Sequence, residues 1–156
     1  MLKYTKDKIE KHLLKVLRNS NVLYYKNINN LHRKNINFIV IPKLKNNMPD
    51  NLSNFQFLLS CSDKTAMSII CPMVYKTKDK DSLLYTLNAI NTVNSKMAIG
   101  KLFLNQNPDL IVSYFNRILF NDITTELTSK LFNAYIDSFL LYSLDFYKQM
   151  KDKTNE

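Results

Sequence analysis

The stretch that decides the fold runs from Phe55 to Tyr75 and reads FQFLLSCSDKTAMSIICPMVY. Its centre, Ser62-Asp63-Lys64-Thr65, is polar and typical of a turn, and an apolar run lies on each side of it. The pattern predicts a β-hairpin with strands over 55–61 and 66–75, in which Cys61 faces Ala66. Apolar residues occupy both odd and even positions, so we expect a sheet covered on both faces, or on one face by a partner.

Before this hairpin, residues 5–18 have the spacing of an amphipathic helix, for which Thr5 is the expected N-cap. Segments 22–28 and 36–44 predict two further strands. After the hairpin, residues 79–94 predict a second helix, which Asp81 or Ser82 would cap. Segments 97–104 and 110–120 predict a second hairpin, and Gly100 inside its first strand indicates a bulge or a close backbone approach.

The last element is a long helix expected over 123–150. One stripe holds Leu127, Leu131, Tyr135, Ser138 and Tyr142, and the apolar surface is widened by Phe132, Ile136, Phe139 and Phe146. A helix that is apolar over most of its circumference must be covered on more than one side. The sheet covers one side, and a second copy of the chain would cover the other. The sequence therefore predicts a homodimer with contacts at Phe139, Tyr142 and Phe146.

The predicted order of elements is α-β-β-β-β-α-β-β-α. Clustered strands flanked by helices indicate an α+β fold, with an antiparallel sheet between or beneath the helices. The length of 156 residues is that of one domain. We expect a single domain over 1–156, with a helix within 1–20, a sheet within 22–120 that contains the inserted helix 79–95, and the closing helix.

Composition excludes several classes of protein. One Gly cannot build a glycine-rich phosphate loop, and two Cys cannot hold a disulfide scaffold together. Nine Phe and nine Tyr argue against a disordered chain. The chain contains no apolar run of 18 residues, and its N-terminus has no signal-peptide pattern. With two unpaired cysteines, these features indicate a cytoplasmic protein.

The net charge is +9, and most of it lies near the N-terminus. Residues 1–50 carry a net charge of +8, residues 51–120 carry +3, and residues 121–156 carry −2. The 20 Asn, 19 Lys and 13 Ile share A/T-rich codons, so an A/T-rich, bacterial genome explains much of this excess. The remaining signal is a basic face on the first helix, which would bind nucleic acid or an anionic surface, made of Lys8, Lys11, Lys15 and Arg18.

The chain offers no constellation of catalytic residues. Cys61 and Cys71 are expected to be buried structural thiols that are too far apart for a disulfide. His12 and His32 have no partner at the spacing of a nucleophilic triad or a zinc site. The predicted protein is therefore not an enzyme, and we expect neither a metal nor a cofactor.

The segment 84–119 resembles the YbjN family, which belongs with the type III secretion chaperone-like fold, and the order of elements matches over about residues 50–150. The residues that carry the resemblance are Ile90, Asn91 and Asn94 at the end of the second helix, followed by Gly100-Lys101-Leu102-Phe103-Leu104, a polar turn and a second strand. The resemblance implies a paired α+β domain that binds other proteins and has no catalytic centre. Secretion chaperones are typically acidic, whereas this chain is basic.

Two functional hypotheses follow. The first is a cytoplasmic homodimer that binds a segment of a partner protein, in the manner of a chaperone or regulator, through a sheet edge or an apolar groove. Its apolar contacts are expected at Phe55, Phe57, Met67 and Met73, since Met adapts to varied partners. The second hypothesis is binding of nucleic acid or an anionic surface through the basic N-terminal face.

Overall fold

A computed structural model of the chain describes residues 2–26, 35–43, 55–77, 82–105 and 110–152. These residues form an antiparallel sheet with helices, which confirms the predicted α+β class and order and adds one short helix before the last one. In chain order the elements are α1 Leu2–Arg18, β1 Val22–Lys26, β2 Ile36–Pro42, β3 Phe57–Cys61, β4 Ala66–Lys76, α2 Leu83–Lys96, β5 Lys101–Asn105, β6 Ile111–Leu119, α3 Ile123–Glu126 and α4 Ser129–Asp152.

The six strands pair in the order β1-β2-β3-β4-β6-β5, and every neighbouring pair is antiparallel. Alternate residues of each strand point to opposite faces. One face carries the fully buried side chains, among them Phe38, Phe57, Leu59, Ile69 and Tyr114. The described helices pack on that face, because their buried residues belong to the same hydrophobic core.

The register of the central hairpin differs by one residue from the prediction. Cys61 pairs with Met67 rather than with Ala66. The Asp63 carboxylate accepts hydrogen bonds from the backbone nitrogens of Thr65 and Ala66, at 2.7 and 3.1 Å. These bonds fix a wider turn than the four residues expected from polarity alone.

Helix α1 buries the predicted stripe, which consists of Ile9, Leu13, Val16 and Leu17. It begins at Leu2, so Thr5 lies within the helix and does not cap it. Helix α2 begins at Leu83, and the Ser82 side chain makes no capping hydrogen bond. The other expected cap, Asp81, and the start of the predicted helix at 79 lie outside the described residues.

The predicted helix over 123–150 is two helices. Leu127 is extended, with a φ of −78° and a ψ of 116°, and it separates α3 from α4. Each helix has its own N-terminal cap: Asp122 Oδ1 accepts from Thr124 N at 2.9 Å, and Thr128 Oγ1 accepts from Leu131 N at 3.2 Å. These two polar residues therefore favour two separate helices over one continuous helix.

Helix α4 lies on the sheet through aromatic contacts. The ring centroids of Phe139 and Phe57 are 4.6 Å apart in an edge-to-face arrangement, and those of Phe139 and Tyr114 are 4.7 Å apart. Phe146 packs edge-to-face on Tyr75 at 5.7 Å. The chain's own sheet and helices therefore bury Phe139 and Phe146, two of the three aromatic residues of α4 that the sequence assigned to a second copy.

The only glycine of the sequence lies immediately before β5 instead of inside it. Gly100 has a φ of +70°, a conformation that L side chains rarely adopt. A Cβ at this position would lie 2.4 Å from the Tyr114 hydroxyl oxygen. The expected close approach is therefore present, and the neighbour is an aromatic side chain.

Candidate functional site

The face of the sheet opposite the described helices carries a row of apolar side chains. It is here called the uncovered face because none of the described helices packs on it. The pairing register places five residues side by side across five neighbouring strands. They are Tyr25, Ile39, Leu58, Ile70 and Phe115. Such a row forms because the strands have apolar residues at both odd and even positions, as the sequence shows directly.

Large apolar side chains at the ends of this row are open to solvent. Tyr25 is 48% exposed and Phe115 is 41% exposed. Leu23, Phe103 and Leu119 share the face and are also exposed, while the central Ile39, Leu58 and Ile70 are half-buried. A contiguous exposed apolar patch on a small domain is typical of an interaction surface.

The charge of the sheet is entirely positive. The six strands contain no Asp or Glu, and their charged residues are Lys26, Lys76, Lys101 and Arg117. Arg117 is exposed, pairs with Ser68 across the strands, and lies two residues from both Phe115 and Leu119 on the uncovered face. Its guanidinium has no ion pair with the described residues. The face therefore combines apolar surface with an exposed cation.

The four predicted partner-binding residues do not form one surface. Phe55, Phe57 and Met67 are buried in the chain's own core, where no partner reaches them. Met73 is 57% exposed, because a bulge between Cys71 and Tyr75 turns it outward. The Ser113 hydroxyl donates to the Pro72 carbonyl at 2.6 Å and holds this bulge.

Two of the three predicted dimer contacts are equally inaccessible, since Phe139 and Phe146 are buried within the chain. The third, Tyr142, donates its hydroxyl to the Lys96 carbonyl at the end of α2, at 2.8 Å. The Lys96 ammonium also pairs with Asp145 at 2.8 Å. These bonds join α2 to α4 within one chain.

The predicted basic face is exposed on α1, on the side opposite the buried stripe: Lys8, Lys11, Lys15 and Arg18. The pKa of Asp122 is lowered, mainly by the hydrogen bond from the Thr124 side chain, with smaller effects from Lys64 and Lys8. The turn residue Lys64 is thus close enough to extend the basic face. Glu10, on the flank of α1, pairs with Lys26 of β1 at 2.5 Å.

The two thiols and the described histidine have structural surroundings. Both thiols are free and buried, and burial raises the pKa of Cys61 and of Cys71 to about 12. A thiol that stays protonated is a poor nucleophile. The His12 Nε2 lies 2.9 Å from the Leu127 carbonyl, which fixes α1 against the α3–α4 junction. His32 lies outside the described residues, and the described ranges contain no group of His, Cys, Asp and Glu able to hold a metal ion.

The residues that carry the family resemblance are structural. Ile90 is buried, Asn91 is exposed, and the Asn94 amide bonds to the backbone of Leu102 in β5. Sequence reasoning missed the uncovered face because it assigned odd positions to binding. The sequence did carry a signal for this face, because Leu58 and Ile70 are apolar residues at even positions of the two strands.

Comparison with known proteins supports the fold alone. No protein-family model matches the chain, and no curated protein matches it. The chain is similar in structure to YbjN from E. coli, a proposed transcription regulator, with a TM-score of 0.54, 12% identity and 92% of each chain covered. The resemblance to YbjN inferred from the sequence is therefore supported at the level of the fold. No helix in the described ranges is long and apolar enough to cross a membrane.

Proposed function

We propose that this chain is a non-enzymatic protein-binding module, which holds a segment of a partner protein on the uncovered face of its sheet. The observation that carries the proposal is the apolar row from Tyr25 to Phe115, with both end residues more than two-fifths exposed. Exposed aromatic side chains lose little conformational entropy on binding and often anchor interfaces. The YbjN-like fold supports a binding role by analogy.

The partner segment has apolar and acidic side chains. The strands supply cations and no carboxylate, and the whole chain has a net charge of +9. A carboxylate of the partner beside Arg117 would pair with its exposed guanidinium. A second copy placed face to face would instead bring two positive surfaces together. The homodimer expected from the sequence is therefore the competing occupant in the test.

The first experiment uses 8-anilinonaphthalene-1-sulfonate, a probe that is both apolar and anionic. We expect it to bind the folded protein, and we expect Phe115→Ser and Arg117→Glu each to weaken binding about tenfold, as loss of an interface anchor does. The matched control is Lys148→Glu, which makes the same change of charge at an exposed position of α4. Equal loss in Arg117→Glu and Lys148→Glu would mean that overall charge, not the uncovered face, holds the probe.

The second experiment identifies the occupant by placing a photo-crosslinking amino acid at position 115 and, as a control, at position 148. We expect position 115 alone to crosslink one acidic protein, whose purified segment then binds wild type and fails to bind Arg117→Glu. Crosslinking between two copies, with a dimer in sedimentation equilibrium, would replace this proposal with the homodimer. Crosslinking to nucleic acid would overturn it.

A second candidate function is binding of nucleic acid or an anionic surface by α1. The observation in its favour is that Lys8, Lys11, Lys15 and Arg18 are all exposed on one side of the helix. The test is fluorescence anisotropy with labelled single-stranded RNA and with anionic lipid vesicles. Binding should fall steeply with salt and should be lost in Lys8→Glu/Lys11→Glu but not in Lys148→Glu/Lys151→Glu.

A further inference from the structure

The sheet has two edges that are built differently. Strands β1 and β5 end the strand order, so each has neighbours on one side only among the described strands. In an antiparallel pair, alternate residues direct their N–H and C=O groups toward the partner strand, and the residues between them direct theirs outward. An outward-facing row of such groups is a template for pairing with another chain.

The β5 edge is occupied by a side chain. Leu102 N donates to Asn94 Oδ1 at 2.8 Å, and Asn94 Nδ2 donates to Leu102 O at 2.8 Å. Both backbone groups of Leu102 therefore point away from β6 and toward the edge. The amide of Asn94 gives Leu102 the donor and the acceptor that a seventh strand would supply. Of the five residues of β5, only Leu104 then keeps outward groups at this edge that Asn94 does not occupy.

The backbone of Asn94 is also hydrogen-bonded to β5. The Lys101 ammonium donates to the Asn94 carbonyl at 2.7 Å and to the Met97 carbonyl at 3.1 Å. Helix α2 thus ends directly against the start of β5.

The β1 edge has no equivalent device among the described residues. Lys43 N donates to Asn21 O at 3.0 Å, while Asn21 N donates to Asn133 Oδ1 at 3.1 Å. The Asn21 carbonyl thus points toward β2, and by alternation Leu23 and Tyr25 direct their backbone groups toward β2. Tyr24 and Lys26 then direct theirs outward. Lys26 uses its side chain to pair with Glu10 and leaves its N–H at the edge.

The two edges are complementary to each other. Because the sheet has six strands that alternate in direction, β1 and β5 run in opposite directions. The β1 strand of a second copy placed beside β5 would continue the antiparallel alternation. It would also bring Leu23 and Tyr25 of that copy beside Phe103 on the uncovered face. Such head-to-tail pairing would build a ring or a filament, according to whether the rotation from copy to copy closes.

We propose that Asn94 closes the β5 edge to the β1 edge of a second copy and thereby keeps this basic chain from assembling end to end. The strand that Asn94 keeps from pairing with β5 is thus β1 of another copy of the same chain. The proposal is independent of what binds to the uncovered face.

The test is the assembly state of Asn94→Ala, measured by sedimentation velocity over a range of protein concentrations. We expect Asn94→Ala to form oligomers as the protein concentration rises. The sedimentation coefficients of wild type and Asn91→Ala should not change with concentration. Asn91 is the matched control, since it is an exposed asparagine on the same helix. If the sedimentation coefficient of Asn94→Ala equalled that of wild type at every concentration, the proposal would be overturned.

A second variant separates edge pairing from aggregation of unfolded chains. Lys26→Pro removes an outward N–H of β1 without removing a β1–β2 hydrogen bond, and Lys26→Ala controls for the lost ion pair. Adding Lys26→Pro to Asn94→Ala should raise the protein concentration needed for assembly at least tenfold, and adding Lys26→Ala should not. Assembly that persists with Lys26→Pro would overturn the proposal. Should Asn94→Ala fail to fold, Asn94→Ser, which adds no charge and lacks the amide that bonds both backbone groups of Leu102, carries the same test.

Discussion

The side-chain amide of Asn94 forms two hydrogen bonds with the backbone of Leu102, each 2.8 Å long. They join the last turn of α2 to the outer side of β5, at the position where a strand would otherwise be unpaired. The same asparagine is part of the short pattern that makes the sequence similar to the YbjN family.

Removing this amide should destabilise the protein and expose one backbone amide. We expect Asn94→Ala to lower the free energy of unfolding by about 1–3 kcal/mol, because two polar groups lose their partners. Asn91→Ala should leave stability within about 0.7 kcal/mol, since it changes only an exposed helical position. Urea denaturation measures both. Amide hydrogen exchange at Leu102 should be faster in Asn94→Ala and unchanged in Asn91→Ala, and equal exchange rates would contradict the assignment.

Two adjacent leucines of α4 distinguish the buried side of the helix from its open side. Leu140 is 3% exposed and Leu141 is 63% exposed. We expect Leu140→Ala to cost about 2–5 kcal/mol of stability and Leu141→Ala to cost under about 0.5 kcal/mol. Thermal and urea denaturation give the values. If Leu141→Ala proved as costly as Leu140→Ala, the open side of α4 would be covered in solution, as the predicted homodimer requires.

The sequence predicted the order of elements because helical and strand periodicities are local properties. Ile9, Leu13, Val16 and Leu17 repeat at helical spacing and are buried together. The break at Leu127 was missed because it depends on two separate caps, Asp122 and Thr128, inside a continuous apolar pattern.

The binding surface was harder to predict than the fold. Which parity of a strand meets the helices is a tertiary property, so Phe57 and Leu58 look equally suited to either face. The bulge that leaves Met73 exposed, unlike the buried Phe57 and Met67, is also a tertiary feature. The apolar surface of α4 indicated a second copy, whereas the chain's own sheet meets it through Phe57 and Tyr114.

Gly100 should not tolerate a side chain. Gly100→Ala would place a methyl group within 2.6 Å of three atoms of the Tyr114 side chain, at a φ of +70°. We expect a loss of about 2–4 kcal/mol, from backbone strain and overpacking together. In a Tyr114→Ala background the same substitution should cost less, because only the backbone strain remains. Equal costs in the two backgrounds, measured by urea denaturation, would show that the ring yields without penalty.

The two cysteines should be unreactive in the folded protein. Both thiols are buried, and burial raises the pKa of each to about 12. At pH 8 we expect labelling by 5,5′-dithiobis(2-nitrobenzoic acid) only after addition of denaturant, and then at two thiols per chain. Fast labelling of one native thiol would identify an open path to Cys61 or Cys71, and single Cys→Ala variants would show which one reacts.

The same thiols make stability fall at alkaline pH. In the unfolded chain a thiol loses its proton near pH 9, whereas the folded chain keeps it up to a pKa of about 12. Above pH 9 the folded state therefore binds more protons than the unfolded state, so the free energy of unfolding decreases as pH rises. The loss should reach about 1.4 kcal/mol per thiol for each pH unit above 9. Urea denaturation at pH 7 and pH 10 should show a smaller loss in Cys61→Ala/Cys71→Ala, and an unchanged loss would assign the effect to the buried tyrosines instead.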